Sequence, residues 1–375
     1  MNKQLFALDA RSATDHFPGI GRYVSNLAQS LVPLLTEDEH LLVLHNAQRP
    51  SQFQLPQPSK QVTLLDTAVS PFSLNQQRQI PRLLQKYEID CYHSPYFIMP
   101  YHLKIPTALT LYDLIPQKFP QYVSLKARLL ANVLTKMAMR SSAHMIAISE
   151  ATRQDFLAAY PLDPQKITAV PLAVDAHFKP QAKTAVQAIS HKYNLPTPYI
   201  LYLGINKPHK NLVRLVQAWQ MVQKQIATPH KLVIAGVWDA RYPEAKEFVA
   251  DYNLEGIVHF AGPIANDDLP ALYSGAELFV FPSIYEGFGL PVLEAMACGT
   301  AVTCSHTSSL PEVGGDAVLY FNPANVAETT EQIIKLLSQQ GLLDDYANRG
   351  VKQAQKFTWQ NTAVTTLQIY RSLSG

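Results

Sequence analysis

Alternation is the feature that most constrains this chain. Short runs of apolar, β-branched and aromatic residues recur along it, each followed by a longer stretch with helical spacing of its apolar positions. Such a rhythm builds βαβ units and, from them, parallel sheets covered by helices. In the first half strands are predicted at 5–9, 40–44, 62–65, 91–93, 108–112, 145–147 and 167–170, with helices such as 22–32 and 123–141 between them. The second half repeats the scheme at 199–203, 231–235, 258–261, 278–281, 301–303 and 318–320. The stretch 175–198 is polar, carries Pro180, Pro196 and Pro198, and reads as the linker between two doubly wound α/β domains, 1–180 and 181–357. In such sheets ligands bind beyond the carboxyl ends of the strands, where strand order reverses. Two domains facing a cleft would suit a transferase with its donor on one lobe and its acceptor on the other.

Bulk properties narrow the class. With 375 residues, 47% hydrophobic and 16% charged, the chain is of ordinary globular composition and long enough for two cores. No signal-peptide pattern opens it, and no apolar run approaches the roughly 20 residues that span a bilayer; a cytoplasmic protein is expected. Cys91, Cys298 and Cys304 are odd in number and lack metal-ligand spacing, so reduced, buried thiols and no metal site are expected. Up to residue 185 there are 18 lysines and arginines against 13 acids, and beyond it 13 against 16. Part of the basic excess (Lys126, Arg128, Lys136 and Arg140) lies on one apolar helical segment. That pattern fits either a solvated helix face or docking on an anionic membrane or phosphate-bearing acceptor. Nucleic acid is not an expected partner.

The most informative stretch runs from Phe281 to Thr300. A strand ends near Phe281, a loop carries Glu286, Gly287 and Gly289, and Pro291 is placed to open a helix that Gly299 closes. A loop feeding a helix N-terminus at a strand's carboxyl end presents free N–H groups and a positive dipole to an anion such as a diphosphate. Glu286 and Glu294 lie eight residues apart and are placed to contact different ends of one bound molecule. A carboxylate can accept from both vicinal hydroxyls of a ribose.

The frame Glu286-Gly-Phe-Gly-Leu-Pro-Val-Leu-Glu294-Ala-Met-Ala-Cys-Gly resembles that of the retaining glycosyltransferases of family four, which have the GT-B fold. The resemblance implies that Glu294 holds the ribose hydroxyls, and that Glu286 with the backbone of Phe288, Gly289 and Leu290 holds the hexose. Gly19-Ile-Gly-Arg-Tyr23 is similar to the family's amino-terminal glycine loop, with Gly21 near the diphosphate. As a dinucleotide fingerprint the same run is weak, because Val24 stands where the third glycine belongs. Tyr92-His93-Ser-Pro95 matches the position whose histidine lies beside the transferred sugar. Gly204-Ile-Asn-Lys-Pro-His-Lys-Asn211 resembles the basic loop that neutralises the diphosphate, with Lys210 as the family lysine and Asn206, Lys207 or His209 assisting. The arginines frequent in that loop are missing. In Thr110-Leu-Tyr-Asp113, Tyr112 replaces a common histidine, while Asp113 is kept as a sugar or acceptor contact. Gly262-Pro-Ile264 corresponds to the loop that receives the base through its backbone. Ser149 is read as a helix cap. The segment 358–375 looks like the family's C-terminal helix, which packs back on the first domain.

The resemblance implies a hexosyltransferase that needs no cofactor and no metal. A nucleotide diphosphate sugar would be its donor, UDP-glucose ahead of GDP-mannose, and a glycan or lipid-linked saccharide its acceptor. If the basic segment with Lys126, Arg128, Lys136 and Arg140 docks on lipid rather than facing solvent, the N-terminal domain would also make a peripheral contact with the inner membrane face. Retention is then expected by front-face attack, with Lys210 and the Gly21 backbone stabilising the leaving phosphate and His93 orienting the sugar. The alternative is a catalytically silent nucleotide-sugar-binding subunit.

Overall fold

In a parallel sheet covered by helices both faces of each strand are buried, so its strands are continuously apolar rather than alternating. The computed structural model, which describes residues 3–48 and 51–375, shows this directly: every residue of Thr107–Leu111, Leu278–Phe281 and Ala301–Ser305 is buried. The chain divides into two compact units, Met1–Leu172 with Thr358–Gly375, and Ala173–Phe357.

The first unit holds a seven-stranded parallel sheet of β1 (Gln4–Asp9), β2 (Glu39–His45), β3 (Val62–Asp66), β4 (Cys91–Ser94), β5 (Thr107–Leu111), β6 (His144–Ala147) and β7 (Ile167–Ala169). Its order, β3-β2-β1-β4-β5-β6-β7, reverses between β1 and β4. The second unit holds a six-stranded sheet of β8 (Tyr199–Leu203), β9 (Lys231–Ala235), β10 (Val258–Gly262), β11 (Leu278–Phe281), β12 (Ala301–Ser305) and β13 (Leu319–Phe321). Its order, β10-β9-β8-β11-β12-β13, reverses between β8 and β11. Both are Rossmann-like.

The last helix, Trp359–Leu373, belongs to the first unit. Thr358 caps it, its Oγ1 accepting the Asn361 N–H at 3.1 Å. Trp359, Ala363, Leu367 and Tyr370 are buried on its inner face, and Arg371 makes a two-pronged pair with Glu39 (2.6 and 2.8 Å). Three expectations need adjustment. The unit boundary falls after Leu172 rather than at 180, because Phe178 packs edge-on against Tyr273, 6.1 Å between centroids. The expected linker contains a helix, Lys183–Lys192, packed against Leu269–Gly275. The first helix begins at Pro18, not residue 22, since proline favours a helix's first turn; Gly19 and Gly21 therefore lie inside it. Elsewhere Ser149 does cap its helix, accepting from Thr152 N–H at 2.9 Å.

Candidate active site

In the second unit the order β8-β11-β12 sets three loops side by side at the switch point of the sheet. The loop after β8 ends in a tight turn, Pro208–Lys210. Asn211 follows in the left-handed region (φ 62°), which asparagine tolerates better than most residues. Its side-chain amide donates to the Pro282 (3.1 Å) and Pro323 (2.8 Å) carbonyls. The Ile284 N–H donates to the His209 carbonyl at 2.8 Å. From the loop after β12, Ser308 Oγ accepts the Glu286 N–H at 2.9 Å, and Ser309 Oγ donates to the Glu286 and Phe288 carbonyls (3.1 and 2.6 Å).

These ties bring two of the expected residues into contact. Lys210 Nζ lies 2.6 Å from Glu286 Oε1, with the two side chains 15% and 12% exposed. The same ammonium sits 5.4 Å from the centre of the Phe281 ring. One of its three N–H donors is engaged by Glu286, so the group retains capacity for an anion. Beside it, Leu290 opens the helix Leu290–Ala297; Pro291 is its second residue rather than its first. Gly289, at φ 111°, holds a backbone conformation that side-chain-bearing residues rarely adopt, and a Cβ there would press on the Leu310 side chain at 2.7 Å. Its carbonyl accepts from the Val292 and Leu293 amides. The amides of Phe288, Gly289 and Leu290 donate to no group among the described residues. Adjacent free N–H groups at a helix N-terminus form an anion- or oxygen-binding cradle. Glu294, one turn further on, is 4% exposed and accepts from Tyr273 Oη at 2.8 Å.

Other expected residues are engaged elsewhere. The Asn206 side chain donates to the Asp239 and Tyr242 carbonyls (2.9 and 2.6 Å) and accepts the Asp239 N–H (2.6 Å), so it pins a neighbouring loop instead of presenting its amide to a donor. Burial above all, helped by the charge of Lys210, holds His209 down at about 4; it is neutral near pH 7 and adds no positive charge. Ile264 is half-buried beyond β10, at the outer edge of the sheet.

In the first unit His93 is fully buried at the end of β4. Tyr370 Oη meets its Nδ1 at 2.5 Å and Thr110 Oγ1 its Nε2 at 2.7 Å, and Tyr23 Oη completes the chain to Thr110 at 3.1 Å. Burial depresses its pKa to about 3. With both ring nitrogens held by the protein, His93 locks β4, β5 and two helices together instead of offering an edge to a sugar. Gly21 does not present a free amide either: its N–H donates to the Phe17 carbonyl at 2.9 Å, and the Phe53 ring closes over its Cα. Asp113 caps the turn after β5, its Oδ1 accepting from Ile115 N–H at 2.9 Å.

Sequence reading missed Ser308, Ser309 and Tyr273, which hold the two glutamates in place. Its one available signal was the serine pair just ahead of Leu310-Pro311 at a strand's end. It also missed the buried pair of Asp9 and Arg11 at the end of β1, 2.5 Å apart. Burial alone would raise Asp9, but the charge and hydrogen bonds of Arg11 outweigh it and hold the carboxyl below its usual range.

Comparison with known proteins fits this geometry. Residues 186–356 match the family Glycosyl transferases group 1, and residues 18–178 match Glycosyltransferase Family 4. The chain belongs to this glycosyltransferase family and has the GT-B fold. It is 29% identical over 369 residues to the O-antigen chain mannosyltransferase B of Escherichia coli, covering 95% of this chain and 96% of that one. Over 242 residues it is 28% identical to an MMP alpha-(1->4)-mannosyltransferase of Mycolicibacterium hassiacum (63% and 56% of the two chains). Among solved structures, sucrose-phosphate synthase from Thermosynechococcus elongatus superposes with a TM-score of 0.76 at 22% identity over 99% of both chains. Anabaena HepE in complex with UDP and glucose gives 0.74 at 19%, over 99% and 100%.

Proposed function

We propose that this protein is a retaining, metal-independent hexosyltransferase of polysaccharide biosynthesis that takes its sugar from a nucleotide diphosphate donor. The observation that carries the reading is the Lys210–Glu286 pair at 2.6 Å beside the free amides of Phe288, Gly289 and Leu290. The cation and the helix N-terminus suit a diphosphate, the amides and Glu286 suit hexose hydroxyls, and Glu294 suits the ribose. Chemistry is by front-face attack: the acceptor hydroxyl bonds to the anomeric carbon on the side the phosphate leaves, and its proton passes to the departing phosphate oxygen. Lys210 stabilises the charge that grows there. Asp113 is assigned to acceptor or sugar, Ile264 to the base through its backbone, and His93 to positioning its strand end.

The mannosyltransferases among its relatives move GDP-mannose ahead of UDP-glucose as the donor. We place the protein in the cytoplasm, working on a saccharide or lipid-linked acceptor at the inner membrane face. Among the described residues no helix is long and apolar enough to cross a membrane. The helix Leu125–Ser141 leaves Leu125, Leu129, Leu130 and Val133 more than half exposed, interleaved with Lys126, Lys136 and Arg140 on the same arc. That arrangement suits an anionic lipid surface.

A melting-temperature panel tests the reading, because a ligand that binds only the folded state raises the midpoint. GDP and GDP-mannose should stabilise more than UDP and UDP-glucose, and donor alone should be slowly hydrolysed. Tight binding with no hydrolysis and no transfer would favour the silent binding subunit instead. No shift with any nucleotide would refute both.

A further inference from the structure

Three aromatic rings gather at the carboxyl edge of the first sheet, each delivered by a different strand. Phe17 follows β1, Phe72 follows β3 and Tyr96 follows β4. The Phe17 ring lies 5.8 Å from Phe72 and 5.6 Å from Tyr96, its plane tilted 34° and 38° to theirs. Core formation does not account for them. Phe72 is 51% exposed, and Phe17 and Tyr96 are only half-buried. Apolar rings left partly open to solvent together are a feature of interaction surfaces and ligand-binding grooves.

The cluster also sits where the sheet order reverses, between β1 and β4, the position at which open α/β sheets take their ligands. Beyond Tyr96 opens a cavity of about 330 Å³, whose wall includes Tyr112, Asp113 and Gln117. That volume is at the lower end of small-molecule sites, about 300–1,000 Å³. Burial, then the nearby charge of Asp113, raises the Tyr96 phenol, so carboxylate and ring are neighbours. The bond from Ile115 N–H fixes that carboxylate in place.

We propose that Phe17, Phe72 and Tyr96, with Asp113 at the cavity mouth, bind the terminal sugar ring of a saccharide acceptor. The proposal rests on the glycosyltransferase reading and deepens it by naming where the acceptor lies in the first unit. A pyranose has one face of C–H bonds that settles on an aromatic ring, whose face is the negative side of its quadrupole. Its rim of hydroxyls donates well to a carboxylate, a charge-assisted bond. A cluster of rings beside one carboxylate answers both requirements, whereas a lipid surface would call for basic residues beside the rings.

The test uses methyl α-D-mannopyranoside and methyl α-D-glucopyranoside as probes in saturation-transfer NMR on the full chain. Wild-type protein should saturate the ring C–H protons of at least one glycoside. Phe72→Ala should weaken that binding at least tenfold, Phe72→Tyr should keep it, and neither should lower the melting temperature, since Phe72 is half outside. Absence of saturation with the wild type, or equal binding by Phe72→Ala, would overturn the assignment. So would loss of binding to phosphatidylglycerol vesicles in Phe72→Ala with glycoside binding intact. Nucleotide stabilisation of the same wild-type sample separates the two readings: if GDP or UDP binds and no glycoside does, the acceptor platform fails while the transferase stands.

Discussion

Replacing Lys210 by alanine should produce two separable losses. The first is in stability. Glu286, 12% exposed, would lose the ion-pair partner that lies 2.6 Å away. An exposed pair contributes about 0–1 kcal/mol, and stranding one charge of a fully buried pair costs about 3–5. At 15% and 12% exposure the pair lies between these limits, so a loss of about 2 kcal/mol is expected. For a unit of this size that lowers the melting temperature by about 4–8 °C. The second loss is catalytic. Charge on the leaving phosphate grows only as the sugar departs, so turnover at saturating donor should fall about a hundredfold, close to 2.7 kcal/mol, with a smaller change in donor affinity. Lys210→Ala/Glu286→Gln separates the effects: with no stranded carboxylate, most of the melting temperature should return while turnover stays low. Differential scanning and a nucleoside diphosphate release assay read both quantities. Near-normal turnover of Lys210→Ala at saturating donor would refute the assignment of Lys210 to the phosphate.

Glu294→Ala should weaken donor binding by about 1.5–3 kcal/mol with little effect on turnover of the bound complex, because ribose contacts are equal in ground and transition states; unchanged affinity by calorimetry would remove the ribose role. Stability should fall on acidification from about pH 6.5 towards pH 4. His93 and His209 are held at about 3 and about 4 in the fold, chiefly by burial, and are lowered relative to the unfolded chain, which takes up the protons first. Their contribution is complete above the unfolded value and is lost at up to about 1.4 kcal/mol per pH unit per histidine; urea unfolding at pH 7, 5.5 and 4.5 that gave equal free energies would contradict it. Protein should float with phosphatidylglycerol vesicles, and Leu129→Glu/Val133→Glu should abolish flotation without changing the melting temperature; flotation unaffected by the double substitution would show that this helix face is merely solvated.

Most of the fold was legible because parallel strands advertise themselves. Tyr199–Leu203 and Lys231–Ala235 coincide with their predicted bounds, since a strand buried on both faces reads as a nearly continuous apolar run, here with Lys231 exposed at its start. The helix Lys183–Lys192 was missed for the converse reason: it buries only Ile189, and Pro180, Pro196 and Pro198 on either side of it gave the stretch the look of a linker. Within the site, Glu286, Glu294 and Lys210 could be read because they sit in punctuated motifs whose glycine and proline positions carry backbone meaning. Their supports could not. Ser308 reaches Glu286, and Tyr273 reaches Glu294, across 22 and 21 residues, and those meetings depend on strand order, which no local pattern encodes. The engagement of both His93 nitrogens depends likewise on Tyr370, 277 residues away.

Transfer should survive chelation. A divalent ion in such an enzyme bridges the donor phosphates to one or two protein carboxylates through hard oxygen ligands. The carboxylates nearest the proposed phosphate position already have partners: Glu286 holds Lys210, and Glu294 accepts from Tyr273. Recruiting Glu286 would strand the Lys210 ammonium beside a second cation, and recruiting Glu294 would break its bond from Tyr273. Acidic doublets elsewhere are engaged as well or lie at helix starts. Asp268 is bound by Lys192 and Tyr193, each at 2.6 Å, and Asp345 pairs with Arg349 within its own helix. On the proposed mechanism, Lys210 and the free amides at Phe288, Gly289 and Leu290 would instead supply positive potential for the leaving group, as fixed groups that need no reorganisation as charge develops. After exhaustive dialysis, donor turnover with and without excess EDTA should therefore agree within about twofold, below the ~0.5 kcal/mol at which a change in barrier would register. Complete loss in EDTA, restored by Mg²⁺ or Mn²⁺, would refute the metal-free mechanism and require Glu286 to leave Lys210 when the donor binds.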